Sequence, residues 1–129
     1  MFSRKNQPLI SLIAQGTKIE GNIHFTDKLR VDGEISGDIS AQNQSSELVV
    51  SEVSKVMGTV RADHVVINGT VVGAVYAAHL LELHAKARIE GDVYYKALEM
   101  HKGAVISGRL CPLETVDDKP TLKLAANNQ

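Results

Sequence analysis

The sequence predicts an all-β protein, a single-stranded parallel β-helix (solenoid) of about six turns between two polar tails. Three observations carry this expectation. The form apolar–x–Gly–x–apolar occurs six times, starting at Ile19, Ile35, Val56, Val71, Ile89 and Ile106, with spacings of 16, 21, 15, 18 and 17 residues. Every copy after the first has an apolar pair two residues apart upstream of it, and all six have a further inward position two residues downstream. Self-similarity at this period marks a stack of one supersecondary unit per repeat.

Within a unit, apolar residues at every second position describe a strand with one buried face. The central glycine leaves room for a bend or for close backbone approach. The upstream pairs are Leu29/Val31, Leu48/Val50, Val65/Ile67, Leu81/Leu83 and Leu98/Met100, and the downstream positions are Phe25, Ala41, Ala62, Ala77, Tyr95 and Pro112. Each unit of roughly 17 residues therefore holds about three short strands, and it buries its apolar face only by stacking on another. At ~4.8 Å per turn, six turns make a rod roughly 29 Å long. Leucine-rich repeats need a leucine and asparagine pattern that is absent. Hexapeptide helices need a strict six-residue beat that these spacings do not hold. A sandwich has no reason to repeat one five-residue form six times.

In chain order, residues 1–15 are assigned as a flexible N-terminal tail, 16–112 as the β-helix domain and 113–129 as a flexible C-terminal tail. Met1 and Phe2 stand close to Arg4 and Lys5. An apolar tip beside two cations suits weak contact with an anionic membrane, at about 1 kcal/mol per cation, and needs many copies acting together. The same composition suits a disordered terminus. Residues 9–16 (LISLIAQG) read as a partial first turn or a lid over it, because Leu12 and Ile13 are too apolar for a solvated linker. The polar stretch 41–47 (AQNQSSE) lengthens the second unit and is expected as an outward loop. Beyond Leu110 the pattern stops at Cys111-Pro112, since proline cannot donate to a ladder.

Composition narrows the function. The chain has 129 residues, enough for one domain, with 14 Lys+Arg against 15 Asp+Glu. A balanced charge gives no basic surface for a nucleic-acid partner. Aromatic residues are 4% with no tryptophan, so stacking platforms for single strands are missing. The single cysteine, Cys111, excludes an intrachain disulfide and fits a reducing compartment. No apolar run approaches the ~20 residues of a membrane-spanning helix, and the stretch Leu9–Ala14 is too short and polar for a signal peptide. The expected location is the cytoplasm.

No catalytic, cofactor or metal site is predicted. There is no phosphate loop and no GxGxxG, and Glu20 and Glu90 lie four turns apart. Residues one unit apart form columns. Outward, His24, Ser40, Arg61, Tyr76, Tyr94 and Cys111 share one, in which Tyr76 and Tyr94 are expected to stack as a surface ladder. His84 and His101 occupy equivalent places and should stack, as should His64 and His79. Stacked pairs alone do not make a zinc site, which wants four ligands. Val49 and Val66 fall in one outward column and Met57 and Val72 in another. They form a candidate lateral contact or are β-branched and apolar residues chosen for strand propensity.

The ends carry the functional expectation. A β-helix leaves unpaired backbone groups and an open apolar cross-section at each tip, and solenoids usually cap these. No amphipathic helix is legible at either end. The first turn offers Ile19, Ile23 and Phe25, partly covered by Leu12; the last offers Leu98, Met100, Ile106 and Leu110. These seven residues are the candidate polymer interface for end-to-end self-assembly.

The segments GTKIEGNI (16–23), LRVDGEISGDI (29–39) and ARIEGDVYYKALEM (87–100) resemble the bactofilins, and the resemblance covers about residues 9–112. It implies a right-handed helix with disordered tails and assembly without nucleotide through contacts between like ends, giving non-polar filaments. It further implies cytoplasmic filaments on the inner membrane that scaffold cell-wall enzymes or membrane proteins and influence cell shape, stalks or motility. MFSRKN resembles the short membrane-targeting segment of many members, which assigns Met1, Phe2, Arg4 and Lys5 as membrane contacts. An apolar residue near the C-terminal end of the core is important for assembly in the family, with Leu110 and its last-turn neighbours as candidates here. The alternatives are a β-helix that binds carbohydrate or acts on peptidoglycan, and an adaptor that recruits partners through its tails.

Overall fold

The structure, a computed structural model, describes residues 10–41 and 43–113. All regular structure among them is parallel β-strand, wound into six turns of three short faces each. The first face carries β1 (Ile10–Ile13), β4 (Lys28–Val31) and β7 (Glu47–Val50), then the second halves of three long strands. The second face carries β2 (Lys18–Glu20), β5 (Glu34–Ser36), β8 (Lys55–Met57), β10 (Thr70–Val72), β12 (Arg88–Glu90) and β14 (Val105–Ser107). The third carries β3 (Ile23–His24), β6 (Ile39–Ser40), the first halves of β9 (Val60–Ile67), β11 (Val75–Leu83) and β13 (Val93–Met100), and finally β15 (Leu110–Pro112). Those three long strands pass from the third face to the first without a break.

Register is set by the apolar alternation. Ile19↔Ile35↔Val56↔Val71↔Ile89↔Ile106 run up the second face as one inward column. Ile23↔Ile39↔Val60↔Val75↔Val93↔Leu110 do the same on the third. A slip of one residue would turn each column to solvent, so burial fixes the pairing. The core is built from these columns and from those of the first face, where Val31, Val65, Leu81 and Leu83 are fully buried.

The repeated glycine sits at the corner between the second and third faces. Gly21, Gly37, Gly58, Gly73 and Gly91 have φ between +138° and +154°. A Cβ on Gly73 would run into the carbonyl oxygen of Gly58, and one on Gly91 into that of Gly73. The turns therefore touch backbone to backbone at this corner, a geometry open only to glycine. After three of the glycines, the next residue, Asn22, Asp38 or Asp92, completes the corner. Asp38 N–H donates to Asn22 Oδ1, Thr59 N–H to Asp38 Oδ1 and Arg109 N–H to Asp92 Oδ1, each at 2.9 Å. These side chains satisfy amides of the next turn.

Three details depart from the sequence reading. Residues 10–13, inside the segment 1–15 assigned as a flexible tail, form β1, which pairs in register with β4; of the two readings of residues 9–16 the structure takes the first turn and not the lid. Leu12 does not cover the first turn: it lies beside Arg30 on the outward side and is 57% exposed, while Ile13 packs against the core. His64 and His79 do not stack. A bulge gives β11 two residues, Ala78 and His79, where β9 has only Asp63, so Leu80 takes the place beside His64. His79 pairs with Asp63 instead, and His64 Nε2 lies 3.2 Å from Glu82 Oε1. The other two expected stacks are present: Tyr76 on Tyr94 at 4.4 Å between ring centroids, and His84 on His101 at 4.6 Å.

Asp63 anchors the loop that precedes β7. It accepts the Ser45 N–H at 2.9 Å, and its own N–H donates to the buried Ser46 Oγ at 3.0 Å. Partial burial works against its charge, but the His79 and Ser45 hydrogen bonds and the nearby His64 outweigh this and hold the carboxyl below its usual range. Its contribution to stability is therefore present above the unfolded value of about 3.9 and lost as pH falls through the lower folded one.

Two predictions follow from this geometry. Gly73→Ala, which meets both a positive φ and the Gly58 carbonyl, should lose more stability in urea unfolding than Gly21→Ala, where nothing lies within 4 Å. Backbone strain alone costs about 1–3 kcal/mol at either site, and equal losses would show that the close approach adds nothing. Asp63→Asn should be less stable than the parent at pH 7, with the gap closing below about pH 4; thermal melts across pH read this directly.

Candidate functional site: the two tips of the rod

In the inward column of the third face, Ile39, Val60, Val75 and Val93 are completely buried, yet Leu110 is 49% exposed. The residue type hardly changes along the column. What changes is that among the described residues no seventh turn covers Leu110. Fully burying such a side chain is worth about 1.5–3 kcal/mol, so each half-open side chain at the tip forgoes roughly 1 kcal/mol.

The last turn presents four of the predicted interface residues together. Leu98 and Met100 sit above Leu81 and Leu83, Ile106 above Ile89, and Leu110 above Val93. Leu98 and Ile106 are half-buried against the core, and Met100 is exposed. Among the described residues, Ala97–Met100 of β13, all of β14 and all of β15 have a strand on one side only. Their outer edges are templates for further pairing. Val105 and Leu113 are also exposed here. They fall outside the alternating inward series, so the sequence pattern gave no signal for either.

At the opposite tip, Ile19, Ile23 and Phe25 are half-buried against the core. Ile13 joins them as the inward residue of β1. Strands β1, β2 and β3 are paired only toward the second turn. Among the described residues both tips thus end in an unpaired strand edge around an apolar centre.

The candidate lateral residues do not meet in one patch. Val49 and Val66 are neighbours on the first face and half-buried, between Arg30 and Glu82 in the same column. They line a shallow groove of about 480 Å³ shared with Val53, Ser51 and His84. Met57 and Val72 are neighbours on the second face, Met57 exposed and Val72 half-buried. The assigned membrane contacts Met1, Phe2, Arg4 and Lys5 lie outside the described residues, as does the C-terminal stretch from residue 114.

On the third face the outward column forms a continuous polar and aromatic ladder. His24 Nδ1 lies 3.0 Å from Ser40 Oγ, the Arg61 guanidinium stands 4.1 Å above the Tyr76 ring, and Tyr94 follows. Higher on the corner, the Arg109 N–H and guanidinium hold the Asp92 carboxyl below its usual range. These contacts tie successive turns together across the surface. No helix among the described residues is long and apolar enough to cross a membrane.

Comparison with known proteins agrees with this architecture. The family described as "Bactofilin: Polymer-forming cytoskeletal" matches residues 11–111. A comparison with curated proteins finds no match. Among solved structures, the chain is similar to one described as the atomic structure of the cytoskeletal bactofilin BacA revealed by solid-state NMR. The two share 30% identity with a TM-score of 0.70, over 82% of this chain and 98% of that one. The six-turn solenoid with open tips and the match over nearly its whole length lead to one conclusion: the chain belongs to the bactofilin family of polymer-forming cytoskeletal proteins.

Proposed function

We propose that this protein assembles tip to tip, without nucleotide, into non-polar filaments on the cytoplasmic face of the inner membrane. There it serves as a non-enzymatic scaffold for cell-wall enzymes or membrane proteins that shape the cell. The observation that carries the assembly step is the exposure of Leu110 in a column whose interior members, Ile39 to Val93, are sealed. A second copy laid on that tip covers Leu98, Met100, Ile106 and Leu110 and pairs the open edges of β13, β14 and β15. The same reasoning applies to Ile19, Ile23 and Phe25 with β1, β2 and β3. Like-to-like contacts at both tips are two isologous interfaces, and their alternation gives a filament without polarity. The strands supply the binding energy themselves, so no nucleotide is needed.

Membrane attachment is assigned to Met1, Phe2, Arg4 and Lys5, on the strength of their composition. Each copy binds weakly, and a filament multiplies the attachment. Val49, Val66, Met57 and Val72 remain as two small side surfaces for lateral contact.

Leu110→Arg places a charge at the centre of the joint. Negative-stain microscopy without added nucleotide should show filaments for the parent and short soluble oligomers for the variant. Parent protein that stays monomeric at high concentration would overturn the assembly reading. Deleting residues 2–5 should leave filaments intact while abolishing co-sedimentation with anionic vesicles; retained co-sedimentation would remove these residues from the membrane contact.

A further inference from the structure

The first face carries a cluster that neither the two tips nor the core uses. Glu82 lies near the end of β11 and His84 follows that strand directly, two residues on, so the alternation of the strand carries both side chains to the same side. His101 follows β13 directly and stacks on His84 from the next turn, with ring centroids 4.6 Å apart and planes within 13°. One ligand-type atom from each of Glu82, His84 and His101 lies within 4.8 Å of the others.

The remaining histidines each have a polar partner. His24 meets Ser40, His79 meets Asp63, and His64 meets Glu82. His84 Nε2, by contrast, is shielded from solvent and has no hydrogen-bond partner. Its nearest carboxylate oxygen, Glu82 Oε2, is 3.6 Å away, beyond hydrogen-bond range. A shielded ring nitrogen without a partner calls for an explanation. Glu82 is held in a matching way: its Oε1 faces His64 Nε2 at 3.2 Å, which leaves Oε2 toward His84. His64 in turn lies 4.0 Å from Glu47, which pairs with Lys28 at 3.5 Å. A carboxylate with one oxygen fixed by a histidine and the other free is the supported arrangement found around metal ligands.

We propose that Glu82, His84 and His101 form a binding site for a divalent transition-metal ion of the zinc type. Two imidazoles and a carboxylate match the preferences of that ion and leave one coordination position open. Ligand bonds of about 2.0–2.2 Å require the three donor atoms to close to roughly 3.4 Å of one another. His101 is exposed on the last turn and can make that movement by side-chain rotation. The ion would join the last two turns of the rod from outside, where the core no longer seals them. This site stands independently of how the tips assemble.

The test uses untagged full-length protein titrated with Co²⁺ and with Zn²⁺. The parent should develop the visible absorption of a low-coordinate Co²⁺ centre, lose it on adding Zn²⁺, and show a raised melting temperature with Zn²⁺. His101→Ala and His84→Gln should each weaken binding by at least about tenfold, and His64→Ala by about tenfold through loss of support for Glu82. His79→Ala and Cys111→Ser should bind as the parent does. Circular dichroism checks that the variants remain folded; His101, being exposed, is the safest of them. Absence of a cobalt spectrum in the parent overturns the proposal, as does an undiminished spectrum in His101→Ala, or one lost in Cys111→Ser.

Discussion

The rod depends on one close approach: the backbone of each corner glycine lying against the carbonyl of the glycine one turn below. At Gly37, Gly58, Gly73, Gly91 and Gly108 the space a Cβ would fill is occupied by that carbonyl. Contact this tight fixes where each turn bends and brings the apolar residues on either side of the glycine over their counterparts below. The inward columns then close without gaps, from Ile35 to Ile89 on one face and from Ile39 to Val93 on the next. Asn22, Asp38 and Asp92 finish the corner by accepting amides that no carbonyl reaches.

A stack held this way has no internal reason to stop. Every turn satisfies its neighbour through parallel hydrogen bonds and a shared apolar column, and the last turn offers what all the others offer with nothing to receive it. The amino acids at the tip are not unusual: Leu110 and Ile106 are what the columns carry throughout. Among the described residues the tips carry no cap, and the proposed tip-to-tip assembly rests on that more than on any special side chain. That is why the polymer-forming family and the repeat physics point the same way.

Outside the core, the columns become ladders of a different sort. Tyr76 on Tyr94 with Arg61 beside them, and Glu47, His64 and Glu82 in a chain of polar contacts, fasten one turn to the next. The β11 bulge redistributes these contacts. By inserting one residue it moves His79 out of the His64 column and onto Asp63, and so frees His64 to hold Glu82. A local backbone irregularity thereby decides the partners of two histidines.

The sequence by itself determined the class of fold, the six turns, the inward columns and the two aromatic stacks. Each follows from residues one repeat apart, and the repeat is printed in the glycine positions. It also placed Leu98, Met100, Ile106 and Leu110 on one tip, since position in a solenoid is a matter of counting. Tertiary structure decided what counting cannot reach. The stretch 9–16 reads equally as a partial first turn or a lid, and the pairing of Ile10–Ile13 with β4 decided for the turn. The bulge at Ala78 and His79 shifts register by one residue, and no composition signal distinguishes that insertion from an ordinary bend. The four outward apolar residues share columns in pairs but occupy two faces, a separation set by the corner between β7 and β8. The grouping of Glu82 with His84 and His101 depends on which way the side chains lie across two turns, and that is fixed by packing alone.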